Sequence, residues 1–310
     1  MIKNKKRILL PLLLAGAVIT TTGCNKVDTY SSTKAGDVTA NDVIKALPEN
    51  ELTNTVATAT IQKILLDKYG NKISDASIEK EYEKVMEQQG GKEAFENLMK
   101  QQGLSMEKVK DNIKTKAAQV QMVLESKGIG EDKLKAEYEK DKKRARLSHI
   151  LLGTKTAGNP NGLSDDEAKK KGDEILNKLK NGEDFATLAK EYSTDKTSAA
   201  KGGDLGYTSL EENNFVPEFN KEAKELKPGE VSKLVKSEYG YHIIKKTDEK
   251  EFSYNDMKLE ISEKLALQEI NKDQKTLTDA FKKLFEEYNV KSNNEAVKKY
   301  FEKLVNPTAK

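Results

Sequence analysis

The 310-residue chain has no tryptophan, a single cysteine, two histidines and six prolines. One thiol, Cys24, cannot close an internal disulfide and offers no thiolate pair to a metal. Two histidines without clustered carboxylates leave zinc short of ligands, so no metal site is expected. Aromatics make up 6% of the chain, apolar residues 36% and charged residues 34%. So lean a composition suits small cores and solvated helices, and the length suits two domains better than one. Long apolar runs are scarce as well. The one at the N-terminus, Ile8 to Thr20, has about 13 residues broken by Pro11, against the roughly 20 that a membrane-spanning helix needs. Lys3, Lys5, Lys6 and Arg7 in front of it account for more than the whole net charge of +3. Lysine and glutamate are interspersed over the nearly neutral remainder, which excludes the basic stripe of a nucleic-acid binder.

What is present begins with the order of that N-terminus: cations, an apolar stretch, then small residues, the pattern of an export signal. Its end, Thr21-Thr22-Gly23-Cys24, resembles the lipobox of bacterial lipoproteins. That resemblance implies a signal peptide over residues 1–23 and a diacylglycerol on Cys24, holding the protein to the extracytoplasmic face of the cell membrane. Residues 24–37 are small and polar and read as a flexible spacer. Helical spacing fills residues 38–142. Ser74 precedes a stripe of Ile78, Tyr82, Val85 and Met86, Gly103 is placed as a C-cap, and Ser105 opens a helix with Val109, Ile113, Ala117, Val120 and Leu124.

The pattern changes over residues 143–246. Leu147 to Leu152 is an apolar run of strand length, and Ser164 caps a helix. A second helix is expected near Phe185 to Tyr192, a Gly-rich turn at 202–206, and a strand pair at 231–235 and 241–245. Helical periodicity returns over residues 247–310, opened by Ser253 and Asp256. Neither helical flank closes a core alone, so the two are expected to pack together around an inserted α+β domain.

The inserted segment holds both histidines, His149 and His242, at its two ends. Five stretches, Phe185 to Asp195, Lys201 to Gly206, Val216 to Phe219, Leu226 to Ser232 and Tyr239 to Ile244, resemble in order and spacing the parvulin-type peptidyl-prolyl isomerases. The resemblance implies a small antiparallel sheet with surrounding helices, inserted into a helical chaperone domain made of the N- and C-terminal segments. It also implies catalytic roles for His149, Asp195 and His242, with the two imidazoles hydrogen-bonded to each other. Leu205, Phe215 and Phe219 match the wall around the proline ring, and Ser237 a hydroxyl of the polar network. Where the family commonly carries Met, this chain has Phe215, and Tyr207-Thr208 replaces an aromatic pair.

Rotation about an X–Pro amide is slow because of C–N double-bond character, and no bond breaks, so neither nucleophile nor cofactor is required. Two functions compete. One is an anchored foldase that isomerises X–Pro bonds in unfolded secreted polypeptides. The other is a holdase whose parvulin domain only binds peptide, with Met and Phe stripes (Met86, Met99, Met106, Met122, Phe281, Phe285) on the flanks as adaptable surface. A solute-binding lipoprotein would need repeated βαβ lobes, which are missing. Assembly into a homodimer is left open.

Overall fold

The structure, a computed structural model, describes residues 29–34, 36–155, 159–211 and 213–307. The export signal and Cys24 lie outside the described residues. Part of the expected spacer is folded: β1 (Thr29–Thr33) and β2 (Gly36–Thr39) form an antiparallel ribbon. Contacts divide the chain into two units. Of the described residues, one unit is Lys135–Met257; the other joins those before Lys135 with those from Lys258 onward.

The second unit is helical: α1 (Ala40–Ala46), α2 (Glu49–Tyr69), α3 (Asp75–Gln88), α4 (Lys92–Gln102) and α5 (Met106–Ser126). α6 (Glu131–Asp141) leads out of it. The caps explain the boundaries. Ser74 and Ser105 accept backbone N–H groups at the starts of α3 and α5, and Gly103 ends α4 at φ 64°, a left-handed conformation that costs glycine little. After the inserted unit, α11 (Tyr254–Lys272), α12 (Lys275–Glu287) and α13 (Glu295–Val305) complete the set. α2 packs on α5 and α13, and α5 on α12, so the late helices close the core of the early ones. Ile61, Leu65, Val123, Phe281, Leu284 and Val297 are buried there. Ion pairs Lys84–Glu260 (3.1 Å) and Lys116–Glu263 (2.7 Å) join the two segments at the surface, where each is worth little. Met99, Met122, Phe281 and Phe285 turn out to be core residues, whereas Met106 is 52% exposed.

The other unit is α+β: β3 (Lys143–Gly153), α7 (Asp165–Lys180), α8 (Phe185–Tyr192), α9 (Lys196–Ala199), β4 (Asp204–Ser209), α10 (Pro217–Glu225), β5 (Val235–Ser237) and β6 (Gly240–Glu251). The sheet order is β4-β3-β6-β5, with every pair antiparallel. One face carries Ile150, Leu152, Tyr241 and Ile243 against Ala168 and Ile175 of α7 and Phe185 and Leu188 of α8. The other carries Ala145, Leu147 and Ile244 against Phe219 and Ala223 of α10. Burial on both faces is why β3 reads as an unbroken apolar run instead of an alternation.

Two local expectations change. The Gly-rich turn continues directly into β4, whose pairing with β3 is interrupted by a bulge between Leu147 and Ser148. The strand expected at 231–235 is reduced to a single bridge, Val231 to Lys245, followed by the three-residue β5. There Ser232 takes over: its Oγ accepts the Ile244 N–H at 2.8 Å, in place of a regular ladder. Finally, β3 and β6, from the two ends of the segment, are neighbours at the centre of the sheet.

Candidate active site

β3 and β6 place the histidines. His149 stands opposite Ile244 and His242 opposite Leu151, so the two imidazoles are diagonal neighbours on one face of the sheet. This diagonal stacks them, with centroids 5.8 Å apart and planes 22° from parallel. The expected hydrogen bond between the imidazoles is therefore not formed: such a bond needs a nitrogen approached in the ring plane, and stacked rings meet face to face. Nδ1 of each ring is buried without a hydrogen-bond partner. The outer nitrogens are engaged on both sides of the stack. His149 Nε2 lies 2.9 Å from Asp195 Oδ2, and His242 Nε2 lies 2.7 Å from Ser237 Oγ. Ser237 Oγ also accepts the Tyr239 N–H at 3.2 Å.

Asp195 arrives from outside the sheet. The segment before α9 runs along β3 and is fastened there by side chains. Ser193 Oγ accepts the Leu151 N–H at 3.1 Å, Thr194 Oγ1 accepts the Gly153 N–H at 3.0 Å, and the same hydroxyl donates to Leu151 O at 2.9 Å. Asp195 then caps α9, accepting the Thr197 N–H on Oδ1 at 3.2 Å. The hydrogen bond from His149 holds its carboxyl well below the usual carboxylate range, with Ser198 adding to the effect. An ionised carboxylate only accepts, so His149 Nε2 carries the proton between them. Burial, reinforced by repulsion from His149, pushes His242 down to about 3, so its ring is neutral near pH 7.

Phe219 forms the apolar side. It is 2% exposed and meets both imidazoles edge to face, with centroids 5.8 Å from His149 and 5.5 Å from His242. Phe215 packs 4.6 Å from Phe219, and Leu205, Leu210 and Val216 border the same cluster. Two amides hold the loop that presents Phe215. Asn213 Oδ1 accepts the Phe215 N–H at 3.0 Å, and its Nδ2 donates to Asn220 Oδ1 on α10 at 2.7 Å.

All seven residues singled out for catalysis and substrate binding thus lie in one unit. His149, Asp195, His242 and Ser237 make the polar part, and Leu205, Phe215 and Phe219 the apolar part. Sequence reasoning missed the supports Ser193, Thr194 and Ser198, since a hydroxyl's partner is not written in its neighbours. What the arrangement offers chemically is an apolar wall beside an anchored carboxylate and a neutral imidazole. It presents no activated nucleophile among these residues.

A profile of the PPIC-type PPIASE domain family matches residues 132–250. The foldase protein PrsA of Staphylococcus aureus (strain Newman) is 39% identical over 298 residues, covering 95% of this chain and 90% of that one. Among solved structures, that of PrsA from Bacillus subtilis is similar at 31% identity, covering 89% of this chain and 99% of the other, with a TM-score of 0.39. The structure of PrsA from Bacillus cereus is similar at 30% identity over 90% and 99%, with a TM-score of 0.34.

Proposed function

The chain belongs to the PrsA family of foldase proteins, and on that footing we propose that Asp195, His149 and His242 form the centre at which it turns X–Pro bonds in unfolded secreted polypeptides. It is a peptidyl-prolyl isomerase by its domain and a foldase by its family. The observation that carries the assignment of the centre is the 2.9 Å pairing of His149 with a partly exposed Asp195, beside the Phe215–Phe219 wall.

In this reading the proline ring enters the apolar side, where burial of its methylenes supplies binding energy. The amide preceding it faces Asp195. Twisting the C–N bond removes resonance, so the nitrogen becomes pyramidal and basic and the carbonyl less polar. A fixed negative carboxylate beside the carbonyl disfavours the planar, charge-separated amide more than the twisted one, and differential stabilisation of that kind is catalysis. About 1.4 kcal/mol of it gives each tenfold in rate. The imidazole stack orients the carboxylate and takes no proton from substrate. Asp195→Ala should lower kcat/KM on a proline tetrapeptide by about tenfold or more in protein that is still folded at the assay temperature. Its Tm should fall as well, because the cap of α9 and the acceptor of His149 and Ser198 are lost. Wild-type turnover in that variant removes Asp195 from the centre.

The lipid anchor is part of the same proposal. The cation, apolar, Thr-Thr-Gly-Cys order supports diacylation of Cys24 and residence on the outer face of the membrane. Cys24→Ala should leave the protein exported but move it from the membrane fraction into the medium. Retention of the variant in membranes argues for an ordinary anchor instead. A holding role for the helical unit is supported by the rim around its Tyr82, Phe95 and Met99 cluster. There Val85, Met86, Leu104, Val109 and Ile113 are only partly buried.

A further inference from the structure

Asp195 is bonded more heavily than its position requires. As the first residue before α9 it caps that short helix through Oδ1, and an N-cap carboxylate needs nothing further. Oδ2 is taken by two side chains: His149 Nε2 at 2.9 Å and Ser198 Oγ at 2.7 Å. Ser198 Oγ is itself 3.1 Å from His149 Nε2, so the three groups close a triangle. Ser198 is 4% exposed, and its carbonyl accepts the Gly203 N–H at 2.8 Å, which fixes the residue from the backbone side.

The hydroxyl has one proton, and the short contact to an acceptor-only carboxylate takes it. His149 Nε2–H fills the remaining demand of Oδ2 and can share its proton with the Ser198 lone pairs. The charged and titratable groups around this triangle are His149 on β3 and His242 on β6. Lys196, the next residue in the chain, is turned away and donates to Ser193 O at 2.9 Å.

Resting on the assignment of Asp195 to the isomerase centre, we infer that Ser198 is a positioning residue for that reaction. Its hydroxyl locks the rotamer of Asp195 and the protonated nitrogen of His149, so that the exposed edge of the carboxylate is held toward the bound amide. Without the hydroxyl, the carboxylate keeps its cap to Thr197 and the bond from His149 but loses the third contact that fixes it, and is held less tightly.

The test compares Ser198→Thr with Ser198→Val in the full-length protein, with Ser198→Ala and Asp195→Ala alongside. Threonine and valine have the same shape and differ in one hydroxyl, so any packing strain is common to both. The measurements are kcat/KM on a proline tetrapeptide from about pH 3 to 8, where carboxylates and imidazoles titrate, and Tm. Ser198→Val and Ser198→Ala should lose about tenfold, a full 1.4 kcal/mol step, with an acid limb rising toward the low end of this range because one of the bonds that depress the carboxyl is gone. Ser198→Thr should stay within about threefold of wild type with its pH profile unchanged, at a Tm no lower than that of Ser198→Val, which lacks the hydroxyl's hydrogen bonds. Equal rates and profiles for the threonine and valine variants overturn the inference, as does wild-type behaviour of Ser198→Ala. If Asp195→Ala is impaired while the serine variants are not, only the role of Ser198 falls. If Asp195→Ala is fully active, the isomerase centre falls with it.

Discussion

His242 is neutral because it is buried beside another imidazole, and that has a consequence for stability. Its folded value of about 3 lies below the ordinary 6.5, so between these two values the unfolded chain binds a proton that the folded chain does not. Stability from this group is complete above about pH 6.5 and is lost as pH falls toward 3, with a slope of at most about 1.4 kcal/mol per pH unit. Asp195, also depressed, adds the same sign of loss only further down, as pH drops through the ordinary carboxylate range. Urea unfolding at a series of pH values should show this decline, and His242→Asn, which cannot titrate, should flatten its upper part. An equal slope in that variant would assign the loss to other groups. Gly203 is a second residue with a definite demand. It sits at φ +83°, and an added Cβ would lie 2.4 Å from His149 O, on the very carbonyl strand that carries the histidine. Gly203→Ala should therefore cost both Tm and turnover, with circular dichroism near 222 nm preserved in what remains folded.

At the scale of elements, the site depends on a segment that is not a strand and behaves as one. Ser193 and Thr194 satisfy the edge of β3 with side-chain hydroxyls, and in doing so deliver Asp195 to His149. Thr194→Val keeps the shape and removes two hydrogen bonds, leaving the Gly153 N–H without its acceptor. The expected cost is about 1 kcal/mol in unfolding free energy, together with a fall in kcat/KM as Asp195 loosens. Unchanged kinetics at lowered stability would mean that the backbone bond from Thr194 N to Leu151 O, at 2.7 Å, is sufficient by itself. The helices were far more legible than this segment. Ser74, Gly103, Ser105 and Ser164 act as the caps their positions suggested, because capping is a local hydrogen bond within three or four residues. β4 was hidden inside a glycine cluster that turn chemistry describes equally well. The strand expected near Val231 failed for the opposite reason, since its apolar pattern was right and its ladder position had gone to the Ser232 hydroxyl.

At the scale of the whole molecule, the α+β unit enters and leaves at one place. The Phe252 N–H donates to Lys142 O at 2.9 Å, so the two ends of the Lys143–Glu251 stretch are adjacent. An excision of that stretch can therefore be closed by a short Gly/Ser link. The helical remainder should melt cooperatively, since α12 and α13 supply the partners of α5 and α2. Its early and late segments, made separately, should be largely unfolded until mixed, because each exposes the apolar faces the other covers. Two fragments that each melt cooperatively alone would contradict this account of the core.

By itself the amino-acid sequence determined whatever depends on near neighbours or on an ordered string of residues. It marked the helix caps, the split into helical and α+β stretches, and the motifs that single out His149, Asp195, His242 and the phenylalanines. The tertiary structure alone decided how those residues meet. Antiparallel register set the histidines on a diagonal, which stacks them and excludes the direct hydrogen bond between their rings. Three hydroxyls, from Ser193, Thr194 and Ser198, were recruited to hold one carboxylate, and of the Met and Phe stripes on the helices most became core. The reason is physical: caps and turns close over a few bonds, whereas register and burial are settled by partners 40 to 100 residues away in the chain, a separation no local pattern encodes.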